Sequence, residues 1–416
     1  MAGYVPRITD RELAEHMLVM GAVLIEGPKA CGKTATASQS ANTIIRFDED
    51  ESARSLVALD PAALFAGDTP VLFDEWQLEP TIWNRARRQV DDRGEPGLFI
   101  LTGSAVPRDD VDRHSGAGRF AVVRMRPMSL AESGHSTGEV SLTDLLDGER
   151  QTGDGTALEY GELLQRIVVG GWPQLLGKGE SFARTWLRSY LKQVVEVDVP
   201  GMGHRRNPRN LERLLSALGR GVGQAVKLSE LAKDVGGESG AIANETLYGY
   251  MAALDRLMLT DNSEAWRPHM RSRARLRTAP VRYFVDPSIG TAALDVSAAD
   301  LRAEPRAAGF HFEALVVRDL RIYTQLLGGV VETWRDSNGN EIDAIVRLPG
   351  DQWGAFEIKL NPRDIDAAAA SLLRFASSID VSKHNAPRTL GVITGTGYAG
   401  RRDDGVQVIP IGALGP

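Results

Sequence analysis

Residues 23–34 read Val-Leu-Ile-Glu-Gly-Pro-Lys-Ala-Cys-Gly-Lys-Thr, and no other stretch constrains the chain as tightly. A short apolar run passes into G-x-x-x-x-G-K-T, and a helix-permissive run, Ala35 to Ala41, follows. That order predicts strand, phosphate loop and helix, the arrangement of a P-loop. Gly27 and Gly32 let the backbone curl so that successive N–H groups point inward at phosphate oxygens. Pro28, Lys29, Ala30 and Cys31 fill the loop between them. Lys33 would place its charge on the β- and γ-phosphates, and Thr34 would offer a hydroxyl to Mg²⁺. The helix that starts there turns its positive end toward the same anion.

Other pieces of a nucleotide site follow in order. Thr43 to Asp48 reads as a short strand, and an amphipathic helix over 8–20 precedes the loop, with Thr9 or Asp10 as its N-cap. Val71-Leu72-Phe73-Asp74-Glu75, about 40 residues beyond the loop, reads as a buried strand ending in two carboxylates. Asp74 would hold Mg²⁺, and Glu75 would orient and deprotonate an attacking water. Leu98 to Ser104 is another buried-strand pattern with a polar tip, and Ser104 or Thr102 would sense the γ-phosphate there. Between it and the next strand, Ala121 to Met125, lie Arg113 and Arg119. Arg119, with Arg113 second, is the candidate for an arginine acting on a neighbouring subunit's site; a solvated surface arginine is the competing reading.

GPKACGKT, VLFDE, LTGSA and SGAGRF followed by RMRPMSL resemble, in this order, the predicted AAA-type ATPases of bacteria and archaea that carry a C-terminal domain of unknown function. The resemblance runs over nearly the whole chain. It implies ATP as the ligand of the P-loop core, a γ-phosphate-sensing role for Ser104, and a homo-oligomer in which one subunit's arginine completes another's site.

The totals agree with such a protein. At 416 residues two to four domains are expected. A hydrophobic content of 43% and a charged content of 25% are those of a globular protein, and the net charge of −7 argues against wholesale coating of nucleic acid. The single cysteine, Cys31, excludes intramolecular disulfides and Cys-rich zinc sites and suits a reducing compartment. It reads as a small residue at a tolerant loop position. No secretory signal or membrane-spanning run is visible, so a cytoplasmic protein without a membrane partner is expected.

Residues 134–158 are polar and Gly-rich and read as a linker or insertion. Helices around the Gly-Gly-Trp-Pro turn at 170–173 resemble the small helical lid of the same family, with Trp172 and Trp186 read as core. From 209 to 260 three helices and a strand follow in winged-helix order. Its third helix, from Glu245 to Leu257, is poor in Arg and Lys at its start. Beyond it, Arg271, Arg273, Arg275 and Arg277 alternate with Ser, Ala and Leu, which in a strand puts four guanidiniums on one face. Such a face suits phosphates, and nucleic acid, with DNA ahead of RNA, is the expected partner. A solvated wing, or pairing with an acidic neighbour, is the alternative.

The last segment combines a helix from Phe310 to about Leu327 with strands at 330–334, 341–346 and 353–359. Glu357 and Lys359 lie two apart on one strand and so share a face. With Asp343 on the preceding strand and Glu313 on the helix, this resembles the PD-(D/E)XK nuclease core. By that resemblance Asp343, Glu357 and Glu313 would hold Mg²⁺ and Lys359 would polarise a water. The expected architecture is therefore α/β: an AAA-type P-loop NTPase core at 1–155, a helical lid at 156–202, a winged-helix domain at 203–285 and a PD-(D/E)XK-like domain at 286–416. The alternative to a nucleic-acid-processing ATPase is a non-cleaving ATP switch whose last domain binds partners. A small-molecule kinase is disfavoured, because adjacent Asp74 and Glu75 suit water activation better than transfer to an acceptor.

Overall fold

The computed structural model describes residues 3–103, 114–153, 158–201, 207–266, 279–336, 338–381 and 384–416. It divides into two compact units. The first comprises residues 1–127 with 172–174 and 256–258; the second contains the remainder. Residues 128–155, grouped with the core by composition, thus cluster with the second unit, as do the helices expected to form a lid.

In the first unit, β1 (Ala22–Glu26), β2 (Thr43–Arg46), β3 (Val71–Asp74), β4 (Phe99–Thr102) and β5 (Phe120–Arg124) form one sheet in the order β2-β3-β4-β1-β5. Every pairing is parallel. Successive side chains of a strand point to opposite faces, so a sheet covered on both sides reads as continuous apolar runs. Leu24, Phe73, Phe99 and Leu101 pack on one face with Ala53 and Val57 of helix Glu51–Leu59 and with Trp83 and Val90 of helix Thr81–Arg93. Val23, Ile25, Leu72 and Ile100 pack on the other with Leu13 of helix Ile8–Met17 and Ala37 of helix Lys33–Ser40. Cys31 is fully buried in this second cluster, so it is a core residue and not a tolerant loop position.

In the second unit, the polar stretch read as a linker holds structure after all. β6 (Val140–Ser141) and helix Leu142–Leu146 lie within it, and β6 pairs in parallel with β13 (Leu414–Gly415). A partner some 270 residues away, with a fully buried Leu414, orders a segment whose local composition carries no strand signal. Helices Pro208–Arg220, Leu228–Gly236 and Asn244–Arg256 come next. Two extended arms follow, joined by antiparallel bridges Thr260 to Phe284 and Ser263 to Val281, and Gln224 adds a third by bridging Arg282.

The C-terminal sheet contains β7 (Val330–Arg335), β8 (Glu341–Leu348), β9 (Gln352–Lys359), β10 (Thr389–Thr394), β11 (Gly400–Arg401) and β12 (Gln407–Pro410), in the order β11-β12-β10-β9-β8-β7. β7, β8 and β9 are antiparallel neighbours, and β10 lies parallel to both β9 and β12. Helix Ile365–Ser378 covers Ile345, Trp353, Ala355 and Val392 through Ala369, Leu372 and Phe375. Trp172, in the first unit, is fully buried, whereas Trp186 stays partly exposed and stacks on Tyr190 at 5.3 Å. Among the described residues no helix is long and apolar enough to cross a membrane.

Candidate functional site

β1 ends at Glu26 because the next residue must pass close to another strand's exit. A Cβ at Gly27 would lie 2.3 Å from the Met125 carbonyl oxygen, so only glycine fits there. The loop then uses left-handed backbone at Ala30 (φ 65°) and Gly32 (φ 105°) before the helix opens at Lys33. Lys33 is buried, and its Nζ donates to the carbonyls of Gly27 (3.0 Å) and Pro28 (2.9 Å). The ammonium is thereby aimed across the mouth of the loop. Pro28 is buried and Lys29 exposed, which leaves the Lys29 charge at the rim.

The sheet order decides what meets this loop. β4 lies between β1 and β3, and Thr102 stands in register with Ile25 on one side and Asp74 on the other. The Asp74 carboxylate is almost fully buried, and its Oδ1 accepts from Thr34 Oγ1 at 2.9 Å and, in a short hydrogen bond, from Thr102 Oγ1. A hydroxyl and a carboxylate at hydrogen-bonding distance suit a hard cation that takes oxygen ligands, so the donor set fits Mg²⁺. Glu75 follows in left-handed backbone (φ 52°), and its carboxylate accepts from Gln77 Nε2. A non-glycine residue in that conformation, beside the buried Asp74, is the kind of strain found at functional sites.

Of the other expected residues, Ser104 and Arg113 lie outside the described residues, as do Arg271, Arg273, Arg275 and Arg277. Arg119 precedes β5, and its carbonyl accepts from the Ala22 N–H at the start of β1. It therefore sits at the sheet edge opposite the phosphate loop, about 15 Å away along the strand. Its Nε pairs with Asp91 at 2.7 Å, and this exposed pairing holds the Asp91 carboxyl below its ordinary range.

The C-terminal candidates are brought together by an irregularity. Glu332 stands opposite Ile345 and Trp334 opposite Ile342, so Asp343 and Ala344 share the single partner position at Thr333. This bulge turns Asp343 toward β9, where its Oδ2 accepts from the Ile358 N–H (2.7 Å) and from Lys359 Nζ (3.0 Å). Lys359 also reaches Glu357 at 2.6 Å. Burial, then the Asp343 charge, lifts the Glu357 carboxyl to about 7, although Lys359 opposes both. Burial alone would lower the Lys359 ammonium, but the two carboxylates outweigh it and hold the ammonium above its usual range.

Glu313 is drawn elsewhere. The Tyr283 hydroxyl donates a short hydrogen bond to it, and Gly223 packs against it. Burial first and Asp343 second push its carboxyl well above the ordinary value. Among the described residues no group of three or more His, Cys, Asp or Glu side chains is gathered for a metal ion. Asp343, Glu313 and Tyr283 line one cleft together with Gly223, Ala265 and Ala279.

Sequence reasoning missed Gln77 on Glu75, Tyr283 on Glu313 and the part played by Thr102 in holding Asp74. Only Thr102 left a signal, as one of the two residues, with Ser104, expected to sense the γ-phosphate at the end of an apolar strand.

Comparison with known proteins bears on each segment. Residues 20–134 match an AAA domain family. Residues 160–300 match a domain of unknown function, DUF8612, and residues 308–414 match another, DUF4143. No curated protein matches the chain. Among solved structures it is similar to the Walker-type ATPase PABY2304 of Pyrococcus abyssi, at 14% identity and a TM-score of 0.43, over 69% of this chain and 94% of that one. It is also similar to a DNA replication initiation factor, at 15% identity and a TM-score of 0.21, over 60% of this chain and 92% of that one. These two likenesses are distant, and the weight rests on the phosphate loop and on the AAA match that contains it. The chain has an AAA-type P-loop core followed by a DUF4143 domain, and it is an ATPase.

Proposed function

We propose that this ATPase acts on nucleic acid, with its C-terminal domain as a Mg²⁺-dependent, nuclease-like module, in an oligomer of identical subunits. The observation that carries the proposal is the Asp343–Lys359–Glu357 group, assembled beside a bulge between β7 and β8. Two carboxylates can hold Mg²⁺ together with substrate phosphate, and the ammonium can steady a hydroxide nucleophile. Glu313, taken by Tyr283, is left out of that ligand set. A PD-(D/E)XK-like fold and a winged helix remain the readings of the last sheet and of the three helices with paired arms. Arg271, Arg273, Arg275 and Arg277, with no acidic residue among them, give the chain a cluster of positive charge suited to phosphate. DNA is preferred to RNA. In the oligomer Arg119 acts in trans, since it lies too far from its own loop to serve it.

In the ATP core, Lys33 would bind phosphate, Thr34 and Asp74 would hold Mg²⁺, and Glu75 would position and deprotonate water. The expectation is that Lys33→Ala loses ATP binding and Glu75→Gln binds ATP but hydrolyses it at least ~100-fold more slowly. Undiminished turnover in both would remove the site assignment.

A second reading, a non-cleaving switch with a partner-binding last domain, is favoured by one observation. Lys359 bridges both carboxylates, 3.0 Å from Asp343 and 2.6 Å from Glu357, and balances part of their charge. Wild type and Asp343→Ala, incubated with single- and double-stranded DNA and RNA and Mg²⁺, with and without ATP, separate the two. Cleavage by the wild type alone supports the nuclease module. No cleavage under any condition, or equal cleavage by the mutant, leaves the switch.

A further inference from the structure

Residues 4–10 precede the sheet and carry no motif, yet they hold the phosphate loop from two sides. Arg7 is buried at 6% exposure. Its Nη1 donates to the Cys31 carbonyl at 3.0 Å and its Nη2 to the Arg126 carbonyl at 2.8 Å. Cys31 belongs to the loop, and Arg126 follows β5, whose exit Gly27 passes so closely. One guanidinium therefore joins the loop to the strand end beside it. On the other side, the Tyr4 hydroxyl donates to Asp10 Oδ1 at 2.5 Å and lies 2.9 Å from Thr36 Oγ1, on the helix that opens at Lys33. Asp10 Oδ2 accepts from the Arg7 N–H at 2.7 Å, which closes the ring Thr36–Tyr4–Asp10–Arg7–Cys31. Burial, and then the hydrogen bond to Asp10, keep the Tyr4 phenol protonated by raising it above its ordinary range.

The consequence follows from peptide geometry. A trans peptide is planar, and its C=O and N–H point in opposite directions. Fixing the Cys31 carbonyl on Arg7 fixes the plane of the Cys31–Gly32 peptide, and so aims the Gly32 N–H away from Arg7. That N–H is one of the inward donors on which a phosphate loop depends. Gly32, at φ 105°, has wide rotational freedom unless something outside it holds the plane. We propose that Arg7 is a positioning residue of the ATP site and that Tyr4 and Asp10 hold it in place. The clasp orders the loop before nucleotide arrives, so binding does not have to supply that ordering.

The test is ATP hydrolysis, together with equilibrium binding of a fluorescent ATP analogue, in Arg7→Ala, Arg7→Lys and Tyr4→Phe, with the fold checked by circular dichroism. Arg7→Ala is expected to raise the KM for ATP and the Kd of the analogue roughly tenfold, with kcat changed far less, the signature of lost ground-state binding. Arg7→Lys should recover part of this, because an ammonium serves one carbonyl well where the planar guanidinium serves two. Tyr4→Phe should raise both constants roughly threefold, the size of a modest net hydrogen bond. If Arg7→Ala does not fold, Arg7→Lys and Tyr4→Phe decide the matter. Folded variants with KM and Kd within twofold of wild type overturn the clasp. Lys33→Ala, run alongside, keeps the failures apart: if it alone loses binding, the ATP site stands and only the clasp falls.

Discussion

His311 illustrates how much a single buried residue can govern. It lies on helix Pro305–Gln325 at 2% exposure, beside Gly290, and its Nδ1 has no hydrogen-bond partner. Burial depresses its pKa to about 4, so the folded protein keeps it neutral where an unfolded chain would take up a proton. Between pH 6.5 and 4 the unfolded state therefore binds more protons, and stability falls as pH falls through that window. His311→Leu should remove this part of the acid sensitivity. Denaturant melts at pH 7 and pH 4.5 should show a smaller pH dependence in the variant, by about 2 kcal/mol. At the same scale, the glycines, Lys33 and Thr34 of the phosphate loop were legible from their spacing, whereas the burial of Cys31 in the core was not. The partners of its carboxylates were not, since Thr102 and Gln77 are chosen by strand register and by a local turn.

Elements show a similar split. Helix Ile8–Met17 was expected from apolar spacing and is present, but Arg7, and not Thr9 or Asp10, is its N-cap, with Asp10 reaching back to the Arg7 N–H. The five strands of the first sheet stand where their apolar runs put them; β1, β3 and β4 are buried almost throughout and leave the strongest signal, while β2 and β5 at the edges are only partly buried. β6 and β13 left none, because a two-residue pair is stabilised by its partner and not by its own sequence. Leu414 is fully buried, and Ser136 and Ser141 donate to the carbonyls of Leu414 and Pro416 at 2.7 and 2.8 Å. Truncation after Ala413 should cost about 2–4 kcal/mol from one buried leucine and two hydrogen bonds. Faster amide exchange over residues 136–146 would be its local mark, and unchanged protection there would contradict the pairing.

Over the whole second unit, the ionic network around Arg318 links elements far apart in sequence. Arg318 is 2% exposed and lies between two carboxylates that are fully buried, 2.8 Å from Asp286 and 2.7 Å from Asp319. Asp286 also accepts from the N–H of Gly171 and of Ser288, and Asp319 accepts from that of Leu130. Removing the cation strands two buried aspartates, so Arg318→Met should destabilise by about 3–5 kcal/mol. Urea unfolding of the second unit would measure it, and a loss below about 1 kcal/mol would mean that the carboxylates find protons at little cost. The sequence offers only an Arg-Asp dipeptide here, indistinguishable from a solvated helix turn.

The sequence alone determined the phosphate loop, the Asp74–Glu75 pair and the apolar strands that carry them. These signals are local: each residue is dictated by its own neighbours in the chain or by a phosphate it must face. Only the tertiary structure decided that Thr102 holds Asp74, that a bulge swings Asp343 onto Lys359, that Tyr283 occupies Glu313, and that Arg7 grips the loop. Each of these joins residues through strand order, register or a buried side chain's reach. Such contacts are set by which elements become neighbours in space, and that information is spread over the whole chain.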